Sequence, residues 1–242
     1  TIDSDVISTD GFAKTDNQGK AIIGNGSGDL VLVVYDSSGM SPRKKSFLLD
    51  LSFEDKHGKI NDLTLNDIST IKKTISISNP KLTSFIESSK TPSNLIWQVF
   101  AIANHYALGD QFGDINLINF GLATTELNKR STPLSHQALH QSKVHRASLI
   151  HNNITYGINS NASLVSFTGE PSAFNMSIHN TLVDGQQVTG QLNQALFFGA
   201  HKLRINNGKS SPGDGFTTDY QALGQFKITQ SDSDKNWQLI FS

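Results

Sequence analysis

The chain has 242 residues, a formal net charge of −1, and only 17% charged residues. It is long enough to bury a large core, and it has no global field to attract nucleic acid or an anionic membrane surface. It contains no cysteine, which excludes a disulfide framework, a thiolate nucleophile and a Cys-based zinc site.

Ser, Thr, Asn and Gly are abundant instead, the make-up of a neutral, hydrogen-bonding surface rich in loops and strands. The chain begins at Thr1 and not at Met, as expected of an extracellular or cell-surface protein in its mature form after signal-peptide removal. No apolar run approaches the roughly 20 residues that cross a bilayer, so no membrane span is expected.

Residues 1–28 are polar and punctuated by glycines, with apolar islands at Val6, Ile7, Phe12, Ile22 and Ile23. They read as an arm, either a loose edge strand or a segment that adds to a neighbouring subunit's sheet. Residues 29–242 read as one β-sandwich domain. Its leading feature is a hairpin over Gly28 to Phe53. The continuous apolar run Leu30 to Tyr35 predicts a strand covered on both faces. The second run alternates and predicts one face on a core, with Phe47, Leu49, Leu51 and Phe53 inward and Ser46, Leu48, Asp50 and Ser52 outward. A polar connector, Glu54 to Asn66, then leads to a strand over Ile68 to Ser78.

Asn79-Pro80 is a cap followed by a first-turn proline and opens a short helix ending near Thr91-Pro92. Leu95 to Ala103 reads as a central strand, and Ile115 to Thr124 as another. Thr132-Pro133 repeats the cap signal and starts the longer helix, an insertion at about 132–152. Strands follow at Ser163–Phe167, Phe174–Ile178, Leu196–Ile205, Leu223–Thr229 and Trp237–Phe241. The fold class is therefore mainly β, an antiparallel, jelly-roll-like β-sandwich with one short and one longer inserted α-helix.

Chemistry is sparse in this pattern. His136, His140 and His151 fall on one stripe of the longer helix, and two of them could chelate a metal. The third ligand that zinc requires is missing, and the helix reads HQALH where a zinc protease has HExxH, so the stripe reads as a packing or subunit contact. The acidic loops Asp110 to Asp114 and Asp214 to Asp219 offer oxygens of the kind calcium takes but lack an EF-hand's spacing. The Gly208-Lys209-Ser210 tripeptide lacks the earlier glycine of a phosphate loop, and no nucleophile elbow occurs. Catalytic, cofactor and metal residues are thus assigned to none. Four Asn-x-Ser/Thr sequons, at Asn25, Asn153, Asn161 and Asn175, are glycosylation candidates. The Arg43-Lys44-Lys45 triplet is too small a basic patch for nucleic acid.

The runs GNGSGDLVLVVYDSSGMSPRKKSFLLDL, LTSFIESSKTPSNLIWQVFAIAN, RSTPLSHQALHQSKVHRASL and LGQFKITQSDSDKNWQLIFS resemble bacterial exported surface proteins of the PEP-CTERM and surface-layer-like type. The resemblance implies an extracellular structural subunit without turnover chemistry. Such a subunit would self-assemble into a surface layer, sheath, matrix or filament, with copies of itself and cell-surface polysaccharide as partners. Val6, Ile7, Phe12, Ile22 and Ile23 are its assembly candidates. The alternative is a secreted carbohydrate-binding or adhesive module with Trp97, Trp237 or Tyr156 as sugar platforms.

Overall fold

The computed structural model describes residues 14–15, 21–22, 29–37, 45–54, 56–102, 118–139, 141–142, 146, 163–167, 180–205 and 216–242. Two short strands, β1 (Lys14–Thr15) and β2 (Ala21–Ile22), pair with each other in the arm. The domain then begins with β3 (Val31–Asp36) and β4 (Lys45–Asp50), the expected antiparallel hairpin. After it come β5 (Ser52–Glu54), β6 (Ile60–Asp62), α1 (Leu65–Thr70), β7 (Ile75–Ser78), α2 (Pro80–Glu87) and a 3₁₀ turn at Pro92–Asn94. The remaining strands are β8 (Leu95–Ile102), β9 (Ile118–Glu126), β10 (Ser163–Phe167), β11 (Gly190–Gln191), β12 (Ala195–Ile205), β13 (Phe216–Gln230) and β14 (Trp237–Phe241).

The protein is mainly β, and every strand pair among the described residues is antiparallel. Its main sheet has ten strands in the order β10-β4-β3-β8-β9-β12-β13-β14-β7, with β11 attached to β8. The sandwich is made by this single curled sheet. Strands from both ends, β4 and β14, share one core with α2, whose Phe85 stacks on Phe47 of β4 at 5.3 Å. The Thr83 hydroxyl of α2 accepts the Trp237 amide of β14 at 3.0 Å.

Alternation along the central strands divides the side chains between two cores. Leu32 and Val34 of β3 and Trp97, Val99 and Ala101 of β8 join the first, with Phe198, Phe226 and Phe241. Val31, Val33 and Tyr35 join the second with Phe100, Ile102 and Leu122, under Leu134, Leu139, Leu182 and Val188. Val31 and Val33 are 0% and 1% exposed, so β3 is covered on both faces as its unbroken apolar run predicts. Burying each such side chain contributes about 1.5–3 kcal/mol relative to exposure.

The alternation in β4 predicts one solvated face, and here the expectation is corrected. Ser46, Leu48 and Asp50 are buried as well, because the face they point to is covered too: Leu48 joins the second core beside Val33 of β3. The connector is structured too: β5 and β6 form a small hairpin. The strand expected over Ile68–Ser78 starts only at Ile75. A capping box comes before it, in which the Thr64 hydroxyl accepts the Asp67 amide while the Asp67 carboxylate accepts the Thr64 amide, and this starts α1 instead. The helix after Asn79 starts as read, with the Asn79 side chain accepting the Lys81 amide at 2.8 Å, and ends at Glu87, short of the expected Thr91-Pro92.

Residues 136–139, 141–142 and 146 are helical. Their N-terminal cap is Ser135, not Thr132: Ser135 Oγ accepts the Ala138 amide, and its carbonyl accepts that of Leu139. The strand read as Leu223–Thr229 is the second half of the longer β13. The strand read at Phe174–Ile178 lies outside the described residues. No helix among the described residues is long and apolar enough to cross a membrane.

Candidate functional site

The fold gathers charge on one face of β9 and β12. Glu126 is the last residue of β9, and its side chain is fully buried. The chain turns immediately after it, so that Arg130 folds back over the strand end. Arg130 Nε donates to Glu126 Oε1 at 2.8 Å, and Nη2 lies 2.6 Å from the same oxygen. The same guanidinium reaches onward, its Nη1 donating to Asp184 Oδ2 and to the Thr132 carbonyl, both at 3.0 Å. Asp184 belongs to the 180–189 loop, which covers this face.

His201 of β12 completes the group. Its ring is wholly buried, with Nε2 3.6 Å from Glu126 Oε2, and the Tyr220 ring of β13 packs against it at 4.9 Å. Two irregularities bracket this stretch of β12. One register shift falls between Phe198 and Gly199 against β13, the other between His201 and Lys202 against β9. Bulges of this kind turn side chains that regular pleating would aim elsewhere. Gly121, opposite the second shift, has no side chain to hold off Leu139, which would lie 3.0 Å from a Cβ there.

A second guanidinium lies under the same cover. Arg146 is fully buried, and it donates to the Ser142 carbonyl at 3.3 Å and the Thr181 carbonyl at 3.4 Å. Burial lowers its pKa to about 10, against the attraction of Tyr35 and Glu126. Burial raises the pKa of the Tyr35 phenol, whose hydroxyl donates to Asn180 Oδ1 at 3.4 Å. Burial likewise pushes Tyr220 up to about 12, with the Glu126 charge adding to it. Burial also disfavours the charge on Arg130, but its hydrogen bonds to Glu126 and Asp184 outweigh that and raise its pKa. For His201 burial wins: the imidazole is held below its usual pKa, although Glu126 opposes the shift.

The site, among the described residues, is thus two carboxylates, two guanidiniums and an imidazole. Among the described residues, Glu126 Oε2 and both His201 ring nitrogens accept or donate no hydrogen bond. Glu126 Oε2 and His201 Nε2 face each other, and Arg130 bridges Glu126 to Asp184 on the cover. No group of three His, Asp or Glu among the described residues is placed to hold a metal ion.

Beside this cluster the sheet forks. β8 pairs with β9 over Phe100–Ile102 but with β11 at Ile96 and Trp97, while the Leu127 amide donates to the Gln187 carbonyl. Thr125 fills the fork: its hydroxyl accepts the Val99 amide at 3.1 Å and donates to the Val188 carbonyl at 2.8 Å.

None of the residues singled out in the sequence is in the cluster. His136 is helical and half-buried; His140 and His151 lie outside the described residues. So do Val6, Ile7, Phe12, Ile23, Asn25, Asn153, Asn161, Asn175 and Tyr156, and the loop Asp110 to Asp114. Ile22 pairs with Lys14 in the small arm sheet. Trp97 is not a sugar platform, being fully buried with its indole N–H donating to the Gln191 carbonyl. Trp237 is half-buried and packs on the first core. The one signal in the sequence was the spacing of Glu126 and Arg130, four apart at a strand end; Asp184 and His201 carry none.

Fold and site together define an antiparallel, mainly-β protein with a buried ionic cluster under one cover of its sheet. No family model, characterised protein or solved structure matches this chain.

Proposed function

We propose that the protein is an extracellular structural subunit that self-assembles into a surface layer, sheath, matrix or filament by strand pairing between copies. The observation that carries this reading is the open ends of the main sheet. Among the described residues, β10 and β7 each have one strand neighbour. β7 reads Ile-Ser-Ile-Ser and β10 Ser-Leu-Val-Ser-Phe, without the charges or prolines that guard an edge. Two such edges at opposite ends of one sheet permit head-to-tail addition, which propagates where a two-fold contact would close. The arm is a second donor, because β1 and β2 pair with each other and not with the main sheet. Laid along a neighbour's β7, it would supply main-chain hydrogen bonds. The Ser- and Asn-rich surface suits contact with cell-surface polysaccharide, and no turnover chemistry belongs to this role.

Sedimentation velocity and electron microscopy of the native protein test it. The expected result is a concentration-dependent polymer that is lost when lysines replace the exposed edge residues Ser76 and Ser78, with circular dichroism unchanged. A wild-type protein that stays monomeric at every concentration overturns the reading.

A further inference from the structure

We infer that Asp219 keeps a long free edge of β13 from pairing with a second copy, and so confines strand addition to β7 and β10. This rests on the self-assembly proposed above and adds which edge is closed to it. The two halves of β13 have different neighbours. β14 pairs with residues 226–230 only, and Ser242 exchanges main-chain bonds with Gln225 at 2.8 and 3.0 Å. Before that point, residues 216–224 pair with β12 on one side and, among the described residues, with no strand on the other. This edge outruns β7 and β10, which have 4 and 5 residues. Thr218, Tyr220 and Leu223 are strand formers, and Asp219, Gln221 and Ala222 are exposed.

An open edge of this kind is a template for another chain. The occupant that suits it is the same edge of a second copy. A two-fold axis normal to the sheet sets the two strands antiparallel, the sense of every described strand pair in the main sheet, and keeps the two faces of the sheet continuous.

One residue stands against that contact. Asp219 Oδ1 accepts the amide of the next residue, Tyr220, at 2.8 Å. The amide is satisfied within its own strand and is not offered to an incoming one. Any antiparallel pairing of this edge with its copy also brings two Asp219 carboxylates into one junction. With the axis on Asp219 they stand directly opposite; with the axis on Tyr220 each faces Gln221 of the second copy. Both then lose water, and their charges repel. β7 and β10 contain no charged residue at all. Pairing at β13 would branch a polymer that the end strands extend, and Asp219 prevents the branch.

Sedimentation velocity of the full chain tests this in a background of Ser76→Lys with Ser78→Lys, which silences β7. Asp219→Thr removes the carboxylate and keeps a strand former, so it should dimerise at least roughly tenfold more tightly than the background alone. Asp219→Lys puts a charge back on the edge and should match the background. Because the chain has no cysteine, Gln221→Cys is a single probe of this edge. A short bis-maleimide, which reaches opposite and diagonal neighbours, should link copies carrying Asp219→Thr and not those that retain Asp219. If Asp219→Thr fails to fold by circular dichroism, Asp219→Asn, which removes only the charge, should show the same dimer. Charge-free variants as monomeric as their background, or cross-linking that is equal with Asp219 in place, would overturn the inference. The polymer reading is decided separately: a wild-type protein that stays monomeric ends it, while the dimer of the Asp219 variants is still measured.

Discussion

The phenol of Tyr220 lies over the backbone of Gly199: a Cβ on Gly199 would stand 2.1 Å from the Tyr220 oxygen. The glycine thus seats the ring that packs on His201. Gly199→Ala should cost about 1–3 kcal/mol by overpacking. Because the clash is with the far end of one side chain, the cost should largely vanish in a Tyr220→Ala background. Urea unfolding of the two single variants and the double variant gives the coupling directly; equal costs in both backgrounds would show that the ring is not the obstacle.

Thr125 of β9 holds β8 and the 180–189 loop at the fork with one hydroxyl. Thr125→Val keeps the shape and strands the Val99 amide and the Val188 carbonyl. A loss of about 1–3 kcal/mol is expected, and Thr125→Ser should recover most of it. Denaturant midpoints at constant m-value measure both.

Breaking the Arg130–Glu126 pair leaves a fully buried carboxylate without its cation. Arg130→Met should therefore destabilise by about 3–5 kcal/mol, whereas Arg130→Met with Glu126→Gln should cost much less. A double variant no better than Arg130→Met would mean that packing, not charge, holds Arg130 in place.

Global stability should depend on pH through His201. Its pKa is lowered in the folded chain, so below about pH 6.5 the unfolded chain binds the proton first. Stability from this residue is intact above that pH and is lost as the pH falls toward the lowered folded value. Urea midpoints measured from pH 8 to pH 5 should decline in the wild type and less steeply in His201→Gln.

Among the described residues of the arm, β1 and β2 pair with each other and not with the main sheet. Removing residues 1–28 should leave the thermal midpoint nearly unchanged while reducing polymer length or order under the microscope. Polymers of normal order without the arm would remove strand exchange and leave edge pairing of β7 and β10.

Much of the frame was legible in the chain because it rests on local rules. The apolar run of β3, the Asn79-Pro80 cap and the Trp237–Phe241 strand each carry their signal within a few residues. Errors arose where a neighbour overrode the local pattern. Ser46 and Asp50 look solvated, but they share a face with Leu48, which the second core covers. The Ile68–Ser78 stretch has strand-forming isoleucines, but the Thr64–Asp67 capping box claims its first part for α1.

By itself, the sequence determined a large antiparallel β protein with a doubly covered strand near its start and no means of cysteine chemistry, because periodicity and composition are properties of the chain. The ionic cluster was decided only by tertiary structure. Glu126, Arg130, Asp184 and His201 each look like ordinary residues of a strand or loop. They become a buried network only when β9 pairs with β12 and the 180–189 loop closes over both. Burial is what makes their charges matter, since water would screen the same groups to near silence at the surface.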